Sequence, residues 1–296
     1  MAISEFPSKL SLPQHNPGVV TVLDYLIIKF PYIDAHIWQQ RMAAGKVHWH
    51  DGSLINSTTE FQPQQRVYYY REVENEVQIP FQEAIIFQDE HLLVAYKPHF
   101  LAVTPGGRFV NECLQTRLRR RTGLTNLQAL HRLDRVTAGL VIFSINPATR
   151  HSYHQLFKTR QIQKTYQAIA NIRSNENPAG QEWTVKNRLE ADEPAFRMRV
   201  VEGEANSHSV IRCLQQNTQQ ALFELTPITG RTHQLRVHMQ TLGWPILNDK
   251  YYPRLQAFSE DNYTMPLQLL AREMRFIDPT TQAPRHFRYQ GQLALE

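Results

Sequence analysis

His131-Arg132-Leu133-Asp134-Arg135-Val136-Thr137-Ala138-Gly139 runs directly into Leu140-Val141-Ile142-Phe143. Two arginines bracket one aspartate, and a glycine then opens a short, apolar, β-branched run. Such a run reads as a strand buried on both faces. Asp134 is thereby placed on a loop at the mouth of a rigid element, where reactive groups are commonly mounted. Positive charge beside a carboxylate favours its ionised form. That suits a nucleophile or a general base better than a general acid. A structural knot of ion pairs would produce the same local pattern.

The alternation and turn signals on either side point to a sheet protein. Ile85-Ile86-Phe87 and Leu92 to Tyr96 read as short strands. So do Gln163 to Ala170, Phe196 to Val201, Ser209 to Leu214 and Ala221 to Leu225, with a shorter run at Glu182 to Val185. They are joined by Asn, Gly and Ser turns without sustained βαβ alternation, so the sheet is expected to be mostly antiparallel. Leu114 and Leu118 are spaced as on a helix, which would put Arg117, Arg120 and Arg121 on one exposed face. Asn146-Pro147 reads as an N-cap and first helical residue of a segment reaching about Lys158. Thr232 is the expected cap of a helix carrying Leu235, Met239 and Leu242 inward and stopped by Gly243.

Upstream, residues 1–18 hold Pro7, Pro13 and Pro17 and read as an irregular arm. Residues 19–75 hold two expected short helices, over 23–28 and through 36–42. A strand over Gly45 to His50 leads into an Asp51-Gly52 turn, and a closing strand covers Arg66 to Arg71. The polar stretch Glu72 to Pro80 reads as a linker, with a larger domain over 81–296.

Charge is unevenly shared. The chain of 296 residues carries a net +5. Residues 1–80 hold six Lys/Arg against eight Asp/Glu, and residues 81–296 hold 26 against 19. A polyanion is therefore expected to sit mainly on the second part. Arg117, Arg119, Arg120 and Arg121 form its densest patch, which a solvated helix face would also explain. Two cysteines, Cys113 and Cys213, suggest a reducing compartment and neither a disulfide scaffold nor a thiolate metal site. No apolar run approaches the roughly 20 residues needed to span a bilayer. The N-terminus shows no secretory pattern, so a cytoplasmic location is expected. His233 and His238 stand at i, i+5 with no acidic or thiolate partner nearby, a poor metal pattern.

The central stretch resembles the main motif of the RluA-type pseudouridine synthases, His-Arg-Leu-Asp, two variable residues, Thr-Ser-Gly and a hydrophobic strand. Ala138 stands where that family usually has Ser. Gln163-Lys164-Thr165-Tyr166-Gln167-Ala168 resembles its second motif, Lys-x-Tyr-x-Ala. Gly230-Arg231-Thr232-His233-Gln234-Leu235-Arg236-Val237-His238 is a close match to its third. The likeness covers about residues 83–290. Residues 19–75 resemble, more loosely, an S4-type RNA-binding module. The resemblance implies an α+β fold: a mixed, mainly antiparallel central sheet flanked by helices, with a small α+β S4-like domain in front.

It also implies an isomerase that detaches a uracil in RNA and rejoins it through C5. Asp134 would be the reacting carboxylate, Arg236 its guanidinium partner, and Tyr166 the ring that supports the base and serves a later proton transfer. Arg132 would enter the space left by the flipped base or grip phosphate. Arg231, His233 and the Arg117–Arg121 group are further RNA-contact candidates. No metal or other cofactor is implied. The partner would be structured RNA, ribosomal in preference to transfer RNA, met by a monomer. A non-catalytic RNA-binding or ribosome-assembly factor on the same scaffold is the competing reading. A carboxylate hydrolase is a third, for which no second acidic residue is evident.

Overall fold

The computed structural model describes residues 1–173 and 175–295. It divides into two compact units, Met1–Gln78 with Pro105–Glu112, and Ile79–Thr104 with Cys113–Glu296.

The first unit contains β1 (Ala2–Ile3), β2 (Ser8–Ser11), α1 (Val22–Lys29), α2 (Ala35–Ala43), β3 (Val47–His48), β4 (Arg66–Tyr69) and β5 (Glu72–Val73). Thr21 caps α1 in a reciprocal box: its hydroxyl accepts from the Asp24 amide at 3.1 Å, and Asp24 accepts from the Thr21 amide at 2.9 Å. This satisfies two amides that the helix itself leaves unpaired. Trp38, Leu26, Val22, Ile55, Val47 and Val67 form a closed core beneath the three-stranded sheet β2-β4-β3. The expected irregular arm holds two short strands, β1 and β2, and is irregular over residues 12–18. Leu10 and Leu12 turn inward while Lys9 and Ser11 stay out, and this alternation makes β2 a strand paired with β4. Pro7 and Pro13 bracket that strand instead of breaking it. Likewise Glu72-Val73, at the start of the expected linker, pairs with β1. The Glu76 carboxylate accepts from the amides of Val110, Asn111 and Glu112 at 2.6–2.8 Å, fastening the 105–112 loop into this unit.

The second unit is built on one sheet, with eleven strands among the described residues. In chain order its elements are β6 (Ala84–Gln88), β7 (Leu92–Lys97), α3 (Leu114–Thr122), β8 (Gln128–Ala129), β9 (Ala138–Ser144), α4 (Arg150–Lys158), β10 (Gln163–Asn171), β11 (Glu182–Ala191), β12 (Met198–Val201), β13 (Ser207–Gln216), β14 (Gln220–Pro227), α5 (Gln234–Thr241), β15 (Leu269–Ile277) and β16 (Pro284–Arg288). The main path runs β12-β11-β13-β14-β10-β15-β9-β7-β6, with β16 on β15 and β8 on β9. Every pairing is antiparallel except β9 with β15. The class is α+β, with few helices against a mixed sheet.

All seven residues of β9 are buried, as its unbroken apolar run requires. Gly139 sits at φ +128, and a side chain there would strike the Ala271 backbone of β15. Glycine is thus what lets the strand following the Asp134 loop lie against β15. One core cluster holds Ala168, Phe223, Leu225, Leu235 and Met239; another holds Leu92, Leu140, Ile142, Tyr153 and Met274.

Two helix starts differ from expectation. α4 begins at Arg150 after Thr149, because the Asn146 side chain closes a turn onto the Ala148 amide at 3.0 Å. α5 begins after His233 in a left-handed conformation, φ 52, and Thr232 does not cap it. β11 is also longer than the run at Glu182 to Val185, since β13 pairs with it as far as Asn187 and β12 pairs with its end. Among the described residues no helix is long and apolar enough to cross a membrane.

Candidate active site

The loop between Leu130 and β9 carries Asp134, and several bonds hold it rigid. The Thr137 amide closes a turn onto the Asp134 carbonyl at 3.0 Å. The fully buried Lys97 ammonium donates to the carbonyls of Pro98, Leu101 and Arg135 at 2.7–3.0 Å. The His99 ring bonds the Val136 carbonyl at 2.7 Å. Arg135 grips Asp261 with two bonds of 2.6 and 2.8 Å. The His131 Nε2 meets the Ile142 amide at 3.1 Å, and its ring stacks on Phe157. Of the four polar side chains from His131 to Arg135, those of His131 and Arg135 are therefore tied inward or sideways. The Asp134 carboxylate remains 31 % exposed, and Arg132 is exposed beside it.

Asp134 lines a cleft of about 690 Å³ together with Tyr166, Arg236, Arg132, Arg231, His233 and Lys164. Tyr166 comes from β10 at a register shift between Thr165 and Tyr166. The extra residue is Arg272 on β15, which has no partner between Glu273 and Ala271. The ring is 8 % exposed. Burial, with the charge of Asp134 adding to it, pushes its phenol above the ordinary tyrosine value. Tyr166 is therefore held protonated at neutral pH and can donate a hydrogen bond.

Arg236 projects from α5 and is 2 % exposed. Its Nη1 lies 3.4 Å from Asp134 Oδ2. Its two-pronged bond goes to a different carboxylate: Arg236 Nε and Nη2 bind Asp249 Oδ2 and Oδ1 at 2.7 and 2.6 Å. A planar guanidinium offers two parallel donors along one edge and a further donor beside them. Asp249 takes the paired edge, and Asp134 takes the remaining nitrogen. Tyr251 and Tyr252 rings stand 4.8 and 5.2 Å from the same guanidinium. Burial lowers the Arg236 proton affinity, but Asp249, and then Asp134, outweigh it and raise the group above its usual value. Asp249 itself is fixed by accepting from the Tyr251 and Tyr252 amides at 2.8 and 3.2 Å.

His233 lies beside this pair. Its Nε2 is 3.8 Å from Asp134 Oδ2, and its Nδ1 meets the Tyr252 hydroxyl at 3.0 Å. Burial lowers its pKa, and the charge of Asp134 opposes that only in part. His238 has different partners, Ser207 and Asn187, each at 3.0 Å. The two histidines do not converge on one point.

The arginine run of α3 is not the single exposed face that its spacing suggests. Arg117 donates to the carbonyls of Ile79 and Phe81 at 2.7 Å, and Arg119 to Leu127 at 2.8 and 3.2 Å. These loop carbonyls lie outside the sheet ladders and take side-chain donors in place of backbone ones. Arg120 and Arg121 are exposed, and Arg121 reaches the Glu83 carbonyl at 3.5 Å. Arg231 is exposed at the cleft, with its Nε on the Asn206 carbonyl at 3.1 Å.

Sequence reasoning missed Asp249 and Lys97. Asp249 occurs in Leu247-Asn248-Asp249-Lys250, where nothing local marks it as buried; its role exists only through Arg236. Lys97 could have been suspected from its place at the end of the buried run Leu92–Tyr96, where an ammonium must find carbonyls.

Comparison with known proteins gives a consistent result. The model of the RNA pseudouridylate synthase family matches residues 91–241. The dual-specificity RNA pseudouridine synthase RluA of Haemophilus influenzae is 34 % identical over 181 residues, 58 % of this chain and 78 % of that protein. An uncharacterized RNA pseudouridine synthase of Synechocystis is 26 % identical over 240 residues, 78 % of this chain and 79 % of that one. Among solved structures, human RNA pseudouridylate synthase domain containing 4 superposes with a TM-score of 0.53 at 26 % identity, covering 70 % of this chain and 87 % of its own. Human domain containing 1 shares the fold with a TM-score of 0.59 at 23 % identity, covering 73 % of this chain and 86 % of its own.

Proposed function

The chain belongs to the RNA pseudouridylate synthase family, and from that premise we propose that it isomerises uridine in RNA with Asp134 as the reacting carboxylate. One observation carries the assignment: a partly open carboxylate on a braced loop faces a cleft and is contacted by a buried arginine that a second carboxylate holds in place.

The reaction exchanges one glycosidic bond for another. The N1–C1′ bond breaks, the uracil turns, C5 bonds to C1′, the C5 proton leaves and N1 gains one. The base must first leave its stack, which costs a few kcal/mol and least in a loop. Asp134 serves either by attacking C1′ or by taking the 2′ proton, and both routes need its charge unspent. The arrangement of Arg236 meets that need. Its strongest bonds go to Asp249, so it orients Asp134 through one longer contact without neutralising it fully. Tyr166 supports the uracil ring and presents its hydroxyl to it. Arg132, exposed at the loop, is assigned to the vacated base position or the adjoining phosphate, with Arg231 as a second phosphate contact and His233 as a neutral donor or acceptor at the cleft.

The test is base-resolution pseudouridine mapping. Total RNA from cells lacking the gene is incubated with the wild-type protein or with Asp134→Asn. New pseudouridine from the wild type alone is the expected outcome, with RNA affinity of the variant within about a few-fold, since only the reactive charge is removed. Equal activity in the variant would overturn the role given to Asp134.

A further inference from the structure

The outer face of the first unit's sheet carries an aromatic and basic row that the reaction does not use. Residues Lys9, Tyr68 and His48 stand directly opposite one another on β2, β4 and β3. The His48 and Tyr68 rings are nearly parallel, 12° apart with centroids at 5.5 Å. His50 lies at 27° to Tyr68, with its Nδ1 3.0 Å from the Tyr68 hydroxyl, and Tyr70 lies 6.0 Å from His48. Period-two alternation puts Arg66 on this face as well, and Arg66 and Lys9 are both exposed.

The opposite face is what closes the core. Leu10, Val47, Val67 and Tyr69 pack there against Trp38 and Leu26, whereas Tyr68, Tyr70, His48 and His50 are absent from that cluster. Cross-strand ring pairs do stabilise a sheet. Four rings gathered on one outer face, with cations at the rim, exceed what pairing needs.

We propose that this face binds an unpaired segment of the substrate RNA, with bases stacking on the Tyr68–His48 row and phosphates meeting Lys9 and Arg66. Aromatic rings on a sheet face with flanking cations suit single-stranded nucleic acid, because every base offers a π-face and every linkage a negative charge. A duplex hides its base faces and would not fit. An acidic protein segment would satisfy the cations and leave the rings without a partner. The inference rests on the reading of the chain as an enzyme acting on RNA, and it adds a second contact within the first unit.

The experiment uses the full chain, a fluorescein-labelled unpaired oligoribonucleotide and an RNA duplex of equal length. His48→Leu/Tyr68→Leu is expected to weaken binding of the unpaired probe by about ten-fold or more and to leave the duplex unchanged. Tyr68→Phe, which keeps the ring, should bind as the wild type does. Ultraviolet cross-linking should attach the unpaired probe to Tyr68 or His48. On a mapped RNA substrate the double variant should raise KM and leave kcat unaltered. Unchanged affinity in the double variant, equal losses for both probes, or a Tyr68→Phe defect matching that of leucine would overturn the inference. Pseudouridine formation by the wild type is scored in parallel. Its absence would count against the reaction, and a platform defect beside normal turnover speaks to the sheet face alone.

Discussion

Replacing Asp249 by Asn tests the arrangement of charge in the cleft most directly. The side chains of Arg236 and Asp249 are 3 % and 0 % exposed, with two bonds of 2.6 and 2.7 Å between them. Asn keeps the Oδ1 that accepts from the Tyr251 and Tyr252 amides, so the substitution removes the charge and little of the local turn. It leaves a buried guanidinium whose remaining carboxylate contact is Asp134, at 3.4 Å. Removing one partner of a buried pair costs about 3–5 kcal/mol, a large share of the 5–15 kcal/mol typical of a folded domain. Urea unfolding followed by tryptophan fluorescence should show that loss as a lower midpoint at unchanged slope. Arg236→Met/Asp249→Leu should regain most of it, since an apolar pair of similar volume leaves no stranded charge. The single variant should also lose turnover, because Arg236 no longer has a stronger claim on it than Asp134. A loss below about 1 kcal/mol for Asp249→Asn, or a double variant less stable than the single one, would refute the reasoning.

Three further outcomes follow from the same geometry. Tyr166→Phe should keep RNA affinity and reduce kcat by about 100-fold, because the phenol is held protonated by burial and the charge of Asp134; a variant with wild-type kcat would confine the residue to stacking. Arg117→Gln should lower stability by about 1.5–3 kcal/mol and leave the salt dependence of RNA binding unaltered, since its guanidinium is spent on the Ile79 and Phe81 carbonyls; a shallower salt slope would contradict that. Burial, aided by His208, brings the His238 pKa from 6.5 down to about 4 in the folded chain. The unfolded chain therefore binds more protons between those values, and stability should fall as pH drops through that window, by up to about 1.4 kcal/mol per unit. His238→Gln should flatten that slope, and identical slopes would refute it.

The parts legible in the sequence were those set by local rules. The run after Gly139 announced a buried strand because period and burial are tied. Alternation marked β7, β10, β13 and β14, and the small helices of the first unit were visible from their apolar spacing. What failed depended on partners distant in the chain. β2 was hidden because three prolines suggest a coil, and its inward leucines acquire meaning only once β4 lies beside them. The α3 arginines read as solvated because nothing in Leu114–Thr122 reveals that the carbonyls of residues 79, 81 and 127 lie alongside. The left-handed His233 displaced the expected cap because the chain must turn there to bring Arg236 inward, a demand made by the site and not by helix propensity.

The same logic explains why motif residues were found while their support was not. Asp134 and Arg236 are about 100 residues apart, and each lies within a dense local motif. Asp249 is 13 residues beyond Arg236; the segment 243–252 resembles the family's downstream stretch, but nothing in it shows that this carboxylate is buried against Arg236. Yet the proposed chemistry gives it a clear part. A buried arginine facing a single carboxylate would form its best two-pronged bond there and quench the charge the reaction needs. A second, better-placed carboxylate resolves that conflict by taking the paired edge and the larger share of the guanidinium charge. Asp134, the carboxylate proposed to react, is then oriented at 3.4 Å and still 31 % open to the cleft. In a chain of this kind a buried acid should therefore be sought wherever an arginine aims a carboxylate without consuming it.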